Sequence, residues 1–298
     1  MINRACISLG EKCNIHCKYC HFHKRLSKDN QEFNESEMIS IVENVRKYMD
    51  EYKAESFKIG IVGAGEPILE FNTIKALINY VKRVKEQRIS FYTISNSLLV
   101  DEDILNYFYE NRSLISLNYS YDGPELIHNY GRGQFEKVFS RIMEYEQRFG
   151  KKPSINSTIH RKSIDCEYEL LEHFEEMQFS NITFSRIVDT KDPNFKITQK
   201  EYDDFLIKAK EYNINVRQNL PCNEKKIDCT MYGNICGVGI TSIFFTRMGV
   251  YPCGRFYGNS KYRHGNFDDD LNCIENKMKN INPVGPGKCY FDFNNIGE

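Results

Sequence analysis

Short apolar, β-branched runs alternate with helix-length segments up to residue 212, and this alternation restricts the fold more than any other feature of the chain. The runs cover residues 5–9, 57–62, 89–94, 114–120, 154–159 and 181–188. Between them, residues 34–53, 72–86, 101–111, 135–149, 164–177 and 198–212 carry apolar side chains at helical spacing. Asn34-Glu35-Ser36-Glu37 opens the first of these, and Asp101 and Thr198 stand where N-caps are expected. Regular strand–helix alternation pairs strands in parallel through right-handed crossovers. Six units fall short of the closed eight-fold barrel. The expected fold is therefore α/β, an open partial (β/α)6 barrel with its functional residues on the loops at the C-terminal edge of the strands.

The eleven cysteines are unevenly spread. Cys6, Cys13, Cys17 and Cys20 lie at the start, Cys166 stands alone, and Cys222, Cys229, Cys236, Cys253, Cys273 and Cys289 crowd the end. From about Pro221 onward Gly, Asn and Cys become frequent and helical periodicity fades. This predicts two domains, residues 1–215 and 216–298. Forty Lys+Arg against 41 Asp+Glu leave a net charge of −1, which argues against a nucleic-acid-binding surface. No apolar run approaches the ~18–20 residues of a membrane span. The N-terminus lacks the build of a signal peptide. A cytoplasmic protein with no membrane partner is expected. Clustered cysteines in a reducing compartment read as metal or redox ligands.

Cys13-Asn14-Ile15-His16-Cys17-Lys18-Tyr19-Cys20 follows the first strand directly. Three thiolates on one short loop suit three corners of a [4Fe–4S] cube and leave the fourth iron open. A structural zinc site would need a fourth ligand, which His16, His21 or His23 could supply. The C-x3-C-x-aromatic-C spacing and its place in the β/α array resemble the radical S-adenosylmethionine (SAM) superfamily over about residues 3–290. The resemblance implies a [4Fe–4S] cluster on Cys13, Cys17 and Cys20, SAM chelated to the open iron, and reductive cleavage of SAM to a radical that abstracts a hydrogen atom from substrate.

Other loops carry the same resemblance. Gly63-Ala64-Gly65-Glu66-Pro67 is similar to the family's GGEP motif, which binds the SAM amino group; Ala64 departs from it. Ser95-Asn96-Ser97 is near the family's T-N-G, and Ser120-Tyr121-Asp122-Gly123-Pro124 near S-x-D-G. The resemblance thus implies cofactor contacts at Gly63, Gly65, Glu66, Pro67, Ser95, Asn96, Ser120 and Asp122. Arg141 falls where relatives place an arginine on the SAM carboxylate, although its helix also suits a surface residue. Arg186 is a second arginine of this kind. His128 reads as a capping or packing residue.

The C-terminal segment, with Cys229, Cys236, Cys253 and His264-Gly265-Asn266-Phe267, resembles a SPASM domain shortened to a twitch-like form. Residues 243–245 and 250–251 are the expected hairpin strands, and residues 270–278 a short helix. Six thiols suffice for one auxiliary [4Fe–4S] cluster, and the expected ligands are Cys229, Cys236, Cys253 and Cys289. Cys273 and Cys222 are the alternatives for the fourth position. Cys222 is also a candidate hydrogen-atom donor, whereas Cys6 and Cys166 read as packed thiols. The pairing of motifs implies an enzyme that modifies a ribosomally made peptide by crosslinking, epimerisation or oxidation, served by a reductase that donates electrons. Strand one begins close to Met1, so the peptide is expected to be recognised either without a fused leader-binding domain or through a separate leader-binding protein. The alternatives are dehydrogenation of a small sugar or cyclitol alcohol and, in a different class, a zinc-binding interaction protein.

Overall fold

The computed structural model describes residues 1–24, 32–187, 192–219, 222–282, 284–285 and 287–294. Val188, the end of the sixth expected strand, and Pro221, the expected start of the cysteine-rich segment, lie outside the described residues.

The first six strands are β1 (Arg4–Ile7), β2 (Phe57–Ile61), β3 (Ile89–Ser95), β4 (Ile115–Ser120), β5 (Ser154–Ile159) and β6 (Asn181–Arg186). They pair in parallel and in chain order. The helices between them are α1 (Glu35–Tyr52), α2 (Phe71–Arg83), α3 (Glu102–Glu110), α4 (Glu125–Gly131), α5 (Phe135–Phe149), α6 (Arg161–Asp165) and α7 (Glu167–Met177), with α8 (Gln199–Ala209) after β6. Local chemistry sets the helix starts. Asn34 and Thr198 form capping boxes with Glu37 and Glu201, and Asp101 accepts from Ile104 N at 2.9 Å. Each such cap contributes about 1 kcal/mol. The single helix expected over 164–177 is two helices. Cys166, at φ −119° and ψ 36°, breaks the helical path and terminates α6 while opening α7.

Alternation along each strand makes two faces. Ala5, Ile7, Ile59, Ile61, Phe91, Leu117, Tyr119 and Ile155 are buried in the core. Their neighbours Cys6, Tyr92, Asn118, Ser120, Asn156 and Thr158 are half-buried and line the open inner face. Fully burying one Ile or Phe contributes about 1.5–3 kcal/mol, so the apolar side fixes the register and the polar side is left for function.

The C-terminal residues add β7 (Asn223–Asp228), β8 (Asn234–Cys236), β9 (Ser242–Thr246), β10 (Gly249–Tyr251), α9 (Leu271–Met278) and α10 (Tyr290–Asn294). β7 and β8 form a small parallel pair. The hairpin β9–β10 extends the main sheet, because β9 pairs in parallel with β1, Arg4 opposite Ser242 and Ile7 opposite Phe245. The eight-stranded sheet has the order β10-β9-β1-β2-β3-β4-β5-β6 and does not close. Among the described residues no helix is long and apolar enough to cross a membrane.

Candidate functional site

The Cys13–Cys20 loop leaves the C-terminal end of β1 and is clasped by the ends of β2, β3 and β4. From β2, Glu66 N donates to Lys12 O at 2.7 Å. That approach requires glycine: a Cβ on Gly65, whose φ is +79°, would lie 2.5 Å from Lys12 O, and one on Gly63 would lie 2.6 Å from Ser8. From β3, Asn96 Nδ2 donates to Asn14 Oδ1 at 2.7 Å and approaches Cys13 Sγ at 3.9 Å. From the β4 side, Lys18 N donates to Gly131 O at 2.8 Å, Tyr19 OH donates to Asp122, and Arg132 Nη1 lies 3.7 Å from Cys17 Sγ.

Glu66 is the centre of this arrangement. Its carboxylate accepts from Ser95 Oγ at 2.7 Å, Asn96 N at 2.8 Å and Ile68 N at 3.1 Å. The group is buried, and burial pushes its carboxyl above the usual glutamate range despite those three donors. Among the described residues no cation pairs with it directly. A buried carboxylate held only by neutral donors suits a ligand's ammonium group. Pro67 begins the 3-10 turn that follows and Glu66 caps it. Ser97 adopts φ +66°, the conformation a glycine would take in T-N-G.

The thiols of the loop form no disulfide. Cys13 and Cys17 each feel the negative charge of Cys20, so the three are electrostatic neighbours. Burial raises the Cys13 thiol and pushes Cys17 up to about 11, against the lowering pull of Arg132. Such thiols ionise on binding a metal that displaces the proton, so the donor set fits a cluster.

Two expected cofactor residues are placed differently from what the motifs implied. Asp122 is fully buried and its carboxylate is occupied: Arg132 Nε and Nη2 at 3.2 and 3.4 Å, Thr158 N at 2.9 Å, and Tyr19 OH. Burial would raise this carboxyl; Arg132, then His128 and His160, outweigh it and hold it below the usual range. Asp122 thus anchors the cysteine loop from behind. Arg141 pairs with Glu144 one turn along α5, half-buried, and the structure does not bring it to the loop. The arginine that reaches the loop is Arg132, which the motif reading passed over although it stands in His128-Asn129-Tyr130-Gly131-Arg132-Gly133. His128 is fully buried and its Nδ1 accepts from Asp122 N at 3.2 Å. Ser120 lies on the inner face opposite Asn156.

A second group of thiols gathers at the C-terminal segment. Cys253 feels Cys229 and Cys289, and Cys229 feels Cys236. Cys229, Cys236 and Cys253 are all raised by burial, Cys253 up to about 12. Arg255 sits among them and its Nη1 lies 3.0 Å from Cys289 Sγ. Asp292 of α10 joins Arg255 at 3.7 Å to Arg186 at 2.7 Å, so Arg186 faces this group and not the loop on β1. Cys273 is exposed on α9. Cys222, before β7, is not among the thiols that raise Cys229, Cys236 or Cys253. Cys6, on the inner face, lies 3.5 Å from Tyr92 OH.

Comparison with known proteins bears on the family and the fold. The family model of the radical SAM superfamily matches residues 7–174. The radical SAM cyclopropyl synthase TigE of Paramaledivibacter caminithermalis is 23% identical over 168 residues, 53% of this chain and 35% of that protein. The chain thus spans about a third of that relative's length. Among solved structures, anSMEcpe with bound AdoMet and Cp18Cys peptide has a TM-score of 0.75 at 22% identity, covering 92% of this chain and 81% of that one. Streptococcus suis SuiB bound to its precursor peptide SuiA has a TM-score of 0.66 at 16% identity, covering 94% of this chain and 65% of that one. At such identities the likeness establishes the fold. A family match over more than half of the chain, on a partial barrel whose first loop carries the three cysteines, makes this chain a member of the radical SAM superfamily.

Proposed function

We propose that the chain modifies a peptide by radical chemistry initiated at the Cys13–Cys20 loop. The observation that carries this reading is the loop's clasp by Glu66, Asn96 and Arg132, which leaves a buried carboxylate beside three thiols. Cys13, Cys17 and Cys20 would hold a [4Fe–4S] cluster, and Glu66 would take the SAM ammonium group. Gly63 and Gly65 keep the backbone free of side chains there, Pro67 fixes the turn, and Ser95 and Asn96 hold Glu66 in place. Ser120 offers a hydroxyl on the inner face, near the expected ribose. When bound, the cluster and SAM supply a 5′-deoxyadenosyl radical that abstracts a hydrogen atom. The protein's own part is to orient the cofactor through these donors and to exclude water with the buried Asp122–Arg132–Tyr19 lock.

We further assign residues 216–298 to a cluster-holding domain that joins the main sheet through its hairpin β9–β10, with Cys229, Cys236, Cys253 and Cys289 as ligands of one auxiliary [4Fe–4S] cluster. Peptide substrates are favoured because two of the similar structures hold bound peptides, Cp18Cys in one and the precursor SuiA in the other. A reductase would supply the electron, and a separate protein the leader recognition. Anaerobic reconstitution tests the reading: about four irons per cluster, hence about eight in all, and broad absorption near 400 nm are expected. Changing Cys13, Cys17 and Cys20 together to Ala should abolish 5′-deoxyadenosine. Persisting SAM cleavage would place the chemistry elsewhere. Mass spectrometry of a peptide encoded beside this chain should show loss of two hydrogens or uptake of one solvent deuterium; an unmodified peptide with turnover of a small alcohol would replace the peptide reading.

A further inference from the structure

The cations at the opposite, N-terminal end of the sheet border the second group of thiols, since Arg4 and Cys229 feel each other's charge, but Lys58, Arg217 and Lys226 belong to neither site described above. β1 and β2 place Arg4 directly opposite Lys58. Like charges in register repel, and the pair is stable only if neighbouring groups or a ligand compensate. Arg4 is ion-paired with Asp228, which brings the end of β7, and with it Lys226, to this end of the barrel. Arg217 N donates to Ile182 O at 2.9 Å, and the guanidinium lies 4.4 Å from the Tyr232 ring. The Lys58 ammonium lies 5.1 Å from the Tyr92 ring. Lys58, Arg217 and Lys226 are all exposed. Among the described residues none of the three has an ion pair, and Glu224, two residues before Lys226, pairs with none of them. Although the Lys58 side chain as a whole is exposed, desolvation of its ammonium, then Arg217, Arg4 and Lys226 in turn, hold it below the usual lysine range. Beside this cluster runs β7, which among the described residues pairs only with β8; its Lys225 N donates to Asn223 Oδ1 at 3.1 Å and its Ile227 O accepts from Thr241 Oγ1 at 3.5 Å, so the cationic side chains and not the backbone edge offer the contacts.

We propose that Lys58, Arg217 and Lys226 form a carboxylate-binding mouth at the N-terminal end of the barrel, which holds an acidic side chain of an extended peptide substrate. The proposal rests on the peptide reading given above. It also fixes a spacing. Lys58 lies opposite Ser90, while Ser95 and Asn96 meet Glu66 and the cysteine loop. Five to six strand residues at about 3.3 Å each separate the two levels, roughly 17–20 Å. A substrate strand has the same rise. The acidic residue therefore falls about five positions from the residue presented to the radical.

Fluorescence anisotropy on the anaerobically reconstituted full chain tests this. The probes are a labelled decapeptide with three Asp in a Gly/Ser background and its Asn counterpart. The Asp peptide should bind at least about tenfold tighter, and the difference should shrink as salt rises. Lys58→Gln, Arg217→Gln and Lys226→Gln combined should remove the difference. The single Lys226→Glu variant should weaken the Asp peptide and improve binding of a Lys counterpart. Equal binding of the Asp and Asn peptides by the wild type, or an unchanged difference in the triple variant, would overturn the proposal. Glutarate that competes at the peptide's own concentration would overturn the peptide as occupant. In a peptide the enzyme modifies, the Asp→Asn change that raises KM most should lie about five residues from the modified position; a uniform effect at all acidic positions would overturn the spacing. Formation of 5′-deoxyadenosine by the wild type is read in parallel, so failure of the radical chemistry is distinguished from failure of this site.

Discussion

Replacing Arg132 by Met removes the guanidinium that carries the buried Asp122 in a two-contact pair at 3.2 and 3.4 Å. Stripping one partner from a buried ion pair costs about 3–5 kcal/mol, because the other charge stays buried. Asp122 would keep its bonds from Thr158 N and Tyr19 OH, which favours the lower end, about 3 kcal/mol. That is about a hundredfold in the folding equilibrium. With about 2.1 cal/mol/K of unfolding entropy per residue, a chain of 298 residues should lose about 5 °C in Tm. Asp122→Asn should cost a similar amount by leaving Arg132 unpaired. The double variant should lose less than the sum of the two, by about 1–3 kcal/mol. Urea and thermal unfolding of anaerobic protein, followed by circular dichroism, read all three variants. Iron content is read on the same samples, since Arg132 also reaches Cys17 and Tyr19 belongs to the cysteine loop. Strict additivity, or a single-variant cost below about 1 kcal/mol, would refute the view that this pair locks the loop.

Three further outcomes are expected. His128 is fully buried and burial lowers its imidazole to about 4, with Asp122 pulling the other way. A depressed pKa stabilises the fold above the unfolded value near 6.5 and is lost as pH falls toward the folded one, so about 3 kcal/mol should disappear between pH 6.5 and about 4. Unfolding free energies across that window should fall in the wild type and flatten in part in His128→Gln; parallel profiles would show that another group titrates. Gly65→Ala should cost about 1–3 kcal/mol and reduce iron loading, because the new Cβ meets Lys12 O at a left-handed φ; normal loading would mean that the two loops need not touch. Cys289→Ser should lower iron by up to about half while Cys273→Ser leaves it unchanged, and the reverse pattern would move the fourth ligand to α9.

The six parallel strands and their helices were legible because both periods are local and the caps at Asn34, Asp101 and Thr198 are written in two or three residues. The position of the cysteine loop after β1 followed from the same alternation. What stayed hidden depends on distant pairing. Nothing near residue 242 signals that Ser242 will lie beside Arg4, because a parallel ladder between strands so far apart leaves no turn to read. The role of Arg132 was hidden for a related reason. Its partners Asp122, Tyr19 and Cys17 come from three loops, and only the packed barrel brings them together. Asp122 was read as a cofactor residue by motif, yet its burial assigns the carboxylate to the protein's own arginine. The break at Cys166 escaped because apolar spacing continues across it.

The direction of the hairpin has a consequence for distance. β9 runs with β1 and ends at the edge that carries the cysteine loop, whereas β10 returns antiparallel, so Cys253 emerges two residues beyond Tyr251, toward the opposite edge. Backbone hydrogen bonds, and not a linker, therefore set how far the second group of thiols lies from the first. Insertions or deletions between β6 and β7 would alter the path of the chain without changing that separation. Slipping β9 by one residue against β1 would change it by about 3.3 Å and turn Phe244 and Ile243 to the wrong faces at once. The sheet thus acts as a ruler between two groups of thiols, with its graduations fixed by the apolar core.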